Sequence, residues 1–351
     1  MTDDHGPLTE GYDRTPQHSS HHIPKIMMMG LRRCGKSSIC QVMFHNMPPL
    51  DTLYIESTSS PSTTVFSSFI DFAVVELPGQ TNAVDPGNEE LERLFTESGA
   101  LIYVIDSQDE YINSLSNLHS IITRAVEVNP KINIEVFIHK VDGLSEDFRL
   151  DAQRDITQRV TDELLDDGLL NVPLSFHLTS IFDHSVYEAF SRVVQKQIPQ
   201  LATLENLLNV VCQHSGIEKA FLFDIKSKIF VATDSSPMDV ATYEICTDFI
   251  DITVDMDSLY TIDHSQTPAL KAADTAFGNE LDGTDPTFNK SKPIGSTTRL
   301  NNGLILYLQQ MVKGLALVCL MRKESMPKIA LVEYNIEFFR NALEQLRLLT
   351  V

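Results

Sequence analysis

The apolar run Ile26-Met27-Met28-Met29 passes directly into Gly30-Leu31-Arg32-Arg33-Cys34-Gly35-Lys36-Ser37, with Ser38 next. The spacing Gly-x4-Gly-Lys-Ser works only on a turn whose successive backbone N–H groups curl round an anion, so strand, glycine turn and helix must follow in that order. In such a turn Lys36 reaches the outermost phosphates and the Ser37 hydroxyl is placed for Mg²⁺. The helix that opens here adds its positive end to the same anion. The motif therefore implies a bound nucleoside triphosphate, with residues 32–38 as its candidate phosphate contacts.

The 351 residues suffice for two domains with buried cores, and the 42% apolar fraction is ordinary for a globular chain. A net charge of −21 argues against nucleic acid or an anionic bilayer as a direct partner. Cys34, Cys40, Cys212, Cys246 and Cys319 form no CxxC pair and are odd in number, which fits free thiols in the cytoplasm. Neither a leader pattern nor an apolar stretch near the ~18–20 residues of a membrane span is present. Position 2 is Thr2, not a myristoylated glycine, and Leu348-Leu349-Thr350-Val351 has no prenylatable cysteine. No direct membrane insertion is expected; any membrane attachment runs through partners.

Residues 1–23, with His18, His21 and His22, read as a polar disordered tail. From 24 to 199, apolar runs alternate with helix-length segments. Leu101–Ile105 ends at Asp106, Val136–Ile138 at His139, and Leu174–Leu178 at Thr179-Ser180. This pattern predicts an α/β domain with a mostly parallel sheet covered on both faces, its ligand beyond the carboxyl ends of the strands. Residues 200–351 change character. Leu204, Leu207, Leu208 and Val211 share a helix face. Four strand-like runs follow, at 220–223, 229–231, 304–308 and 315–318, and Val332, Ile336, Phe339, Leu343 and Leu346 form a closing helix stripe. A helix–strands–helix α+β module is predicted, with a flexible insertion at 261–298 rich in Asp, Asn, Thr, Lys, Gly and Pro.

The base is addressed by Val136-Phe137-Ile138-His139-Lys140-Val141-Asp142. A carboxylate at Asp142 can accept both N–H groups on the Watson–Crick edge of guanine, while the Lys140 stem packs across the ring. Two such bonds at ~1.5–3 kcal/mol each favour guanine over adenine by roughly 10²–10⁴. At the next strand end, backbone N–H groups of Thr179-Ser180, with Ile181, would close over the base. Glu76-Leu77-Pro78-Gly79-Gln80 follows a strand at Ile70–Val75: Glu76 suits the Mg²⁺ shell through water, Gly79 presents an N–H to the γ-phosphate, and Gln80 can orient the attacking water. A γ-phosphate-sensing hydroxyl is expected in Glu56-Ser57-Thr58-Ser59-Ser60; spacing does not single one out.

Taken together, these stretches resemble the Rag-family small GTPases, specifically the C/D-type subunit and its fungal counterpart. The likeness runs from about Lys25 to Leu346, the tail and insertion excepted. It is carried by residues 30–38, Thr52-Leu53-Tyr54-Ile55-Glu56-Ser57-Thr58, Phe137-Ile138-His139-Lys140-Val141-Asp142-Gly143-Leu144-Ser145 and Gly216-Ile217-Glu218-Lys219-Ala220-Phe221-Leu222-Phe223-Asp224. The resemblance selects Thr58 as switch threonine and Gln80 as switch glutamine. It implies a P-loop GTPase domain and a roadblock/longin-like domain that pairs with an A/B-type subunit. It also implies a relay of amino-acid sufficiency to the target-of-rapamycin kinase complex through a scaffold complex at the vacuolar or lysosomal surface, competent when GDP is bound, with a nuclear pool besides. Arg32 and Arg33 stand where Ras-like loops carry small residues, Glu76 replaces Asp, and His139 replaces Asn. These departures argue for slow intrinsic hydrolysis and a GTPase-activating protein, and they leave a non-cycling nucleotide-binding scaffold as the alternative.

Overall fold

A computed structural model describes residues 23–66, 71–79, 89–169, 171–260, 295–312 and 314–350. The first sheet has six strands: β1 (Lys25–Met29), β2 (Ser62–Phe66), β3 (Phe72–Glu76), β4 (Ser98–Asp106), β5 (Asn133–His139) and β6 (Leu174–Thr179), in the order β2-β3-β1-β4-β5-β6. All neighbours are parallel except β2, which runs antiparallel to β3 at the edge. Five helices accompany it: α1 (Lys36–His45), α2 (Glu89–Glu97), α3 (Ile112–Val128), α4 (Glu146–Asp166) and α5 (Ser185–Gln195).

Period-two alternation sorts the strand side chains onto the two faces. Ile26, Met28, Val74, Ile102, Val104 and Phe137 meet Ile39 and Met43 of α1 and Val186 and Phe190 of α5. Met27, Met29, Val75, Leu101, Tyr103, Ile105, Val136 and Ile138 meet Phe95 of α2, Leu118 and Ile122 of α3, and Ile156 and Val160 of α4. The parallel sheet expected from the apolar runs is therefore present, covered on both sides.

The second sheet is antiparallel, ordered β8-β7-β11-β10-β9, from β7 (Ile217–Asp224), β8 (Phe230–Thr233), β9 (Gly295–Arg299), β10 (Leu304–Gln310) and β11 (Leu315–Arg322). One face lies under α6 (Leu201–Ser215) and α8 (Ile329–Thr350), the other under α7 (Val240–Tyr260). Its α+β composition fits a roadblock-like domain. Two elements depart from the helix–strands–helix expectation. In α7, Tyr243, Cys246, Phe249 and Ile250 are buried while Ile245, Ile252, Met256 and Leu259 are exposed, so apolar residues on two faces hide the single stripe that marks a helix. Strand β9 occupies 295–298, the last positions assigned to the flexible insertion. It is polar and held by ladder bonding to β10, which leaves no apolar signature. The rest of that insertion, 261–294, and residues 1–22 of the tail lie outside the described residues.

The two sheets share one core. Phe190, Val194 and Ile198 belong to the same buried cluster as Leu208, Leu222, Val231 and Phe339. Helix α5 is also joined to β8 by hydrogen bonds: the Phe230 N–H donates to Ser191 Oγ (3.1 Å), and Gln195 Nε2 donates to the Phe230 carbonyl (3.2 Å). Phe190 is fully buried, with its ring 5.2 Å from Phe44 and 6.4 Å from Phe72. Phe190→Ala should cost about 3–5 kcal/mol in urea unfolding followed by circular dichroism, since the cavity cannot collapse between three packed elements.

Candidate functional site

The loop after β1 turns through three left-handed positions: Gly30 (φ 140°), Arg33 (φ 64°) and Gly35 (φ 106°). A Cβ on Gly30 would strike the Val104 carbonyl. One on Gly35 would lie 2.5 Å from His139 Cδ2, and one on Gly79 would lie 2.6 Å from the Arg32 nitrogen. The glycines thus let three segments of backbone approach one cradle. Lys36 is buried, and its ammonium donates to the carbonyls of Gly30 (2.9 Å) and Leu31 (3.0 Å), which holds it across the loop. Helix α1 begins at Lys36 on Gly35 with no side-chain cap, so its first amides face the cradle.

Ser37, Thr58 and Glu76 converge. Ser37 Oγ donates to Glu76 Oε1 and lies 2.8 Å from Thr58 Oγ1, which reaches the same carboxylate oxygen at 3.2 Å. Two hydroxyls and one carboxylate are hard oxygen donors of the kind Mg²⁺ takes while it keeps water and phosphate oxygens. Among the described residues there is no group of three or more His, Cys, Asp and Glu placed to hold a metal ion.

On the opposite side, Lys140 adopts a left-handed conformation (φ 63°, ψ 33°). Its ammonium lies 2.5 Å from Asp106 Oδ2 and donates to the Arg33 carbonyl at 2.8 Å, joining the ends of β4 and β5 to the glycine loop. Asp142 Oδ1 accepts from Ser180 Oγ (2.7 Å), and the Phe182 N–H donates to that hydroxyl (3.1 Å). The Ser180 N–H, expected to close over a base, instead donates to Ser185 Oγ at 2.9 Å. The tight entry into α5 thus engages this amide, while the Ser180 hydroxyl donates to Asp142.

His139 is buried, with Nδ1 3.0 Å from Thr179 Oγ1. Burial, assisted by the neighbouring Lys140 charge, pushes its pKa down to about 4, so the imidazole that packs against Gly35 is neutral at pH 7. Cys34 is buried and its Sγ lies 3.7 Å from Lys36 Nζ. Burial raises its pKa against the pull of that ammonium, so the side chain is a small filler rather than a reactive thiolate.

These groups border a cavity of about 720 Å³, within the roughly 300–1,000 Å³ of ligand pockets. Arg32, Arg33, Gly35, Lys36, Ser37, Ser38, Thr58, Glu76, Gly79, His139, Lys140, Asp142 and Ile181 line it. Ser180 stands behind Asp142, Cys34 turns into the core, and Gln80 lies outside the described residues. Several lining groups were not among the sequence candidates: Thr52 and Leu53 in the 3-10 turn Pro49–Tyr54, Ile55 and Glu56 just after it, Gln108 just past β4, and Phe182. Asp106 was visible only as a strand end, and its tie to Lys140 spans 34 residues.

The chain matches the Gtr1/RagA G protein conserved region over residues 25–250. It is 55% identical to the GTP-binding protein GTR2 of Saccharomyces cerevisiae, over 92% of each chain. It is 52% identical to the GTP-binding protein gtr2 of Schizosaccharomyces pombe, over 92% of this chain and 97% of that one. With the Ras-related GTP-binding protein C of Homo sapiens it shares 48% identity, over 92% of this chain and 76% of that one.

Because His139 stays neutral in the fold down to about pH 4 while the unfolded side chain protonates near 6.5, the unfolded state binds the extra proton between those values. Its contribution is intact above pH 6.5 and is lost as pH falls toward 4. Urea unfolding of His139→Asn, which has no proton to gain, should therefore fall less steeply than wild type across that window, by on the order of 3 kcal/mol in total.

Proposed function

Because this chain belongs to the Gtr1/RagA G-protein family, we propose that it is a GTP/GDP-binding switch and slow GTPase of the C/D type. The observation that carries this reading is the meeting of the Ser37–Thr58–Glu76 oxygens and the Lys140–Asp142 pair on two sides of one cavity. Arg32 through Ser38 would hold the phosphates, with Gly79 presenting its N–H to the terminal one. Asp142 would take the guanine edge, with Lys140 and Ile181 against the ring and His139 and Ser180 supporting them. Ser37 and Thr58, with Glu76 through water, would hold Mg²⁺, which when bound neutralises phosphate charge. Gln80 is assigned to orient the attacking water. Unassisted GTPases of the Ras kind turn over at about 3–5 × 10⁻⁴ s⁻¹, so resetting calls for an activating protein.

Nucleotide exchange would be read out as a change of surface at the loops around Thr58 and Gln80. The second domain would pair with an A/B-type subunit. The exposed apolar residues Ile245, Ile252, Met256 and Leu259 of α7, together with the edge position of β9 among the described residues, support that assignment. The heterodimer would act at the vacuolar or lysosomal surface through a scaffold complex, relaying amino-acid sufficiency to the target-of-rapamycin kinase complex when this subunit holds GDP. Among the described residues no helix is long and apolar enough to cross a membrane, and the charge of −21 opposes direct binding to an anionic bilayer. One observation favours the second reading, a nucleotide-holding scaffold that does not cycle: the Arg32 backbone is pressed against Gly79 on the γ-phosphate side. Single-turnover hydrolysis with and without cytosolic extract separates the two, since only a cycling switch is accelerated.

Titration calorimetry of Asp142→Asn should show guanine nucleotide affinity reduced at least a hundredfold and xanthine nucleotide affinity gained, because the amide reverses one donor–acceptor pair. The double change Ile252→Asp and Met256→Asp should abolish capture of the A/B-type subunit on affinity resin and leave GDP affinity within about twofold of wild type.

A further inference from the structure

Gln108 belongs to neither the phosphate loop nor the motif around Asp142, yet it borders the same cavity. Its side-chain amide donates to the Lys140 carbonyl at 2.7 Å. Its own backbone N–H donates to Asp106 Oδ1 at 3.0 Å, and the other oxygen of that carboxylate holds the Lys140 ammonium. Asp106, Gln108 and Lys140 therefore close a ring in which both ends of Lys140 are gripped.

Lys140 needs that grip. A residue with a Cβ in the left-handed region is strained and persists only where its surroundings hold it there. The neighbouring Gly143 carries a second, independent sign. It is absent from the positive-φ positions, so no backbone requirement calls for glycine. Space matters only while Gln108 is seated: a Cβ there would run into its amide, with Cδ only 2.7 Å away, and the exposed Gln108 side chain would have to swing aside and give up its bond to Lys140. Gly143 leaves room for Gln108, and Gln108 fixes the turn from which Lys140 and Asp142 reach the cavity.

We propose that Gln108 is a positioning residue for the base, holding the Lys140 turn so that Asp142 meets the guanine edge in register, with Gly143 as its required gap. This rests on the guanine reading above. The sequence Asp-Ser-Gln at 106–108 is thereby part of base recognition, although nothing in it need touch the base.

The test uses the full-length chain loaded with GDP or with IDP, whose inosine base lacks the 2-amino group that Asp142 would bind. Nucleotide release is followed for wild type, Gln108→Ala, Gly143→Ala and the double variant. Gln108 is exposed, so its truncation leaves a folded protein even if Gly143→Ala alone does not. Loss of one hydrogen bond should speed GDP release roughly tenfold in Gln108→Ala. Gly143→Ala should do at least as much, but adding it to Gln108→Ala should change release by less than about twofold, because the obstructing amide is gone. The preference for GDP over IDP should shrink in both single variants. Costs that simply multiply in the double variant overturn the proposal, as does a wild-type GDP preference that Gln108→Ala leaves unchanged. A wild type with no preference for GDP over IDP removes the guanine reading itself, and the proposal with it.

Discussion

A strand buried on both faces admits a polar side chain in its interior only where a partner neutralises it, as His177 and Lys196 do for Glu135 in β5. In β1, β3, β4 and β5 nearly every side chain is withdrawn from solvent. Polar groups therefore accumulate where the strands stop: the glycine loop after Met29, Glu76 at the end of β3, Asp106 at the end of β4 and His139 at the end of β5. Because the strands are parallel, those ends share one rim, and residues scattered over 150 positions line a single cavity.

Within that rim the two halves of the site are not independent. The Lys140 ammonium bridges the Asp106 carboxylate and the Arg33 carbonyl, and the His139 ring fills the space opened by Gly35. The Lys140–Asp142 side of the cavity and the glycine-loop side thus share side chains and are mechanically coupled. Burial keeps His139 uncharged, which suits a ring pressed between Gly35 and Thr179 and close to the Lys140 charge.

Much of the architecture was legible because it rests on apolar periodicity and on glycines with a steric job. The runs at 26–29, 101–105, 136–138 and 174–178 all became strands of the first sheet, and the glycine loop met the helix it calls for. Elements held by other forces were not legible. Strand β9 is a polar strand stabilised by ladder hydrogen bonds, β2 is polar over its first three residues and anchored by Phe66 against Phe44 and Phe72, and α7 is apolar on two sides. At the site, Ser37 and Glu76 stood out as motif positions. Asp106 and Gln108 did not, since their roles depend on contacts 34 and 32 residues away, which no local spacing encodes. Nor does sequence reveal that the Ser180 N–H donates to Ser185 Oγ, a contact made in the turn into α5.

Helix α5 starts just past the turn that lines the base side of the cavity, and its flank is sewn to β8 of the other sheet. Its inward residues sit in a cluster that runs unbroken from Ile26 to Phe339. Pulling the two lobes apart would wet that shared seam, so their unfolding is thermodynamically yoked. A ligand seated at one lobe then raises the melting point of both, and by mass action its departure leaves the distant lobe less protected against heat and proteases.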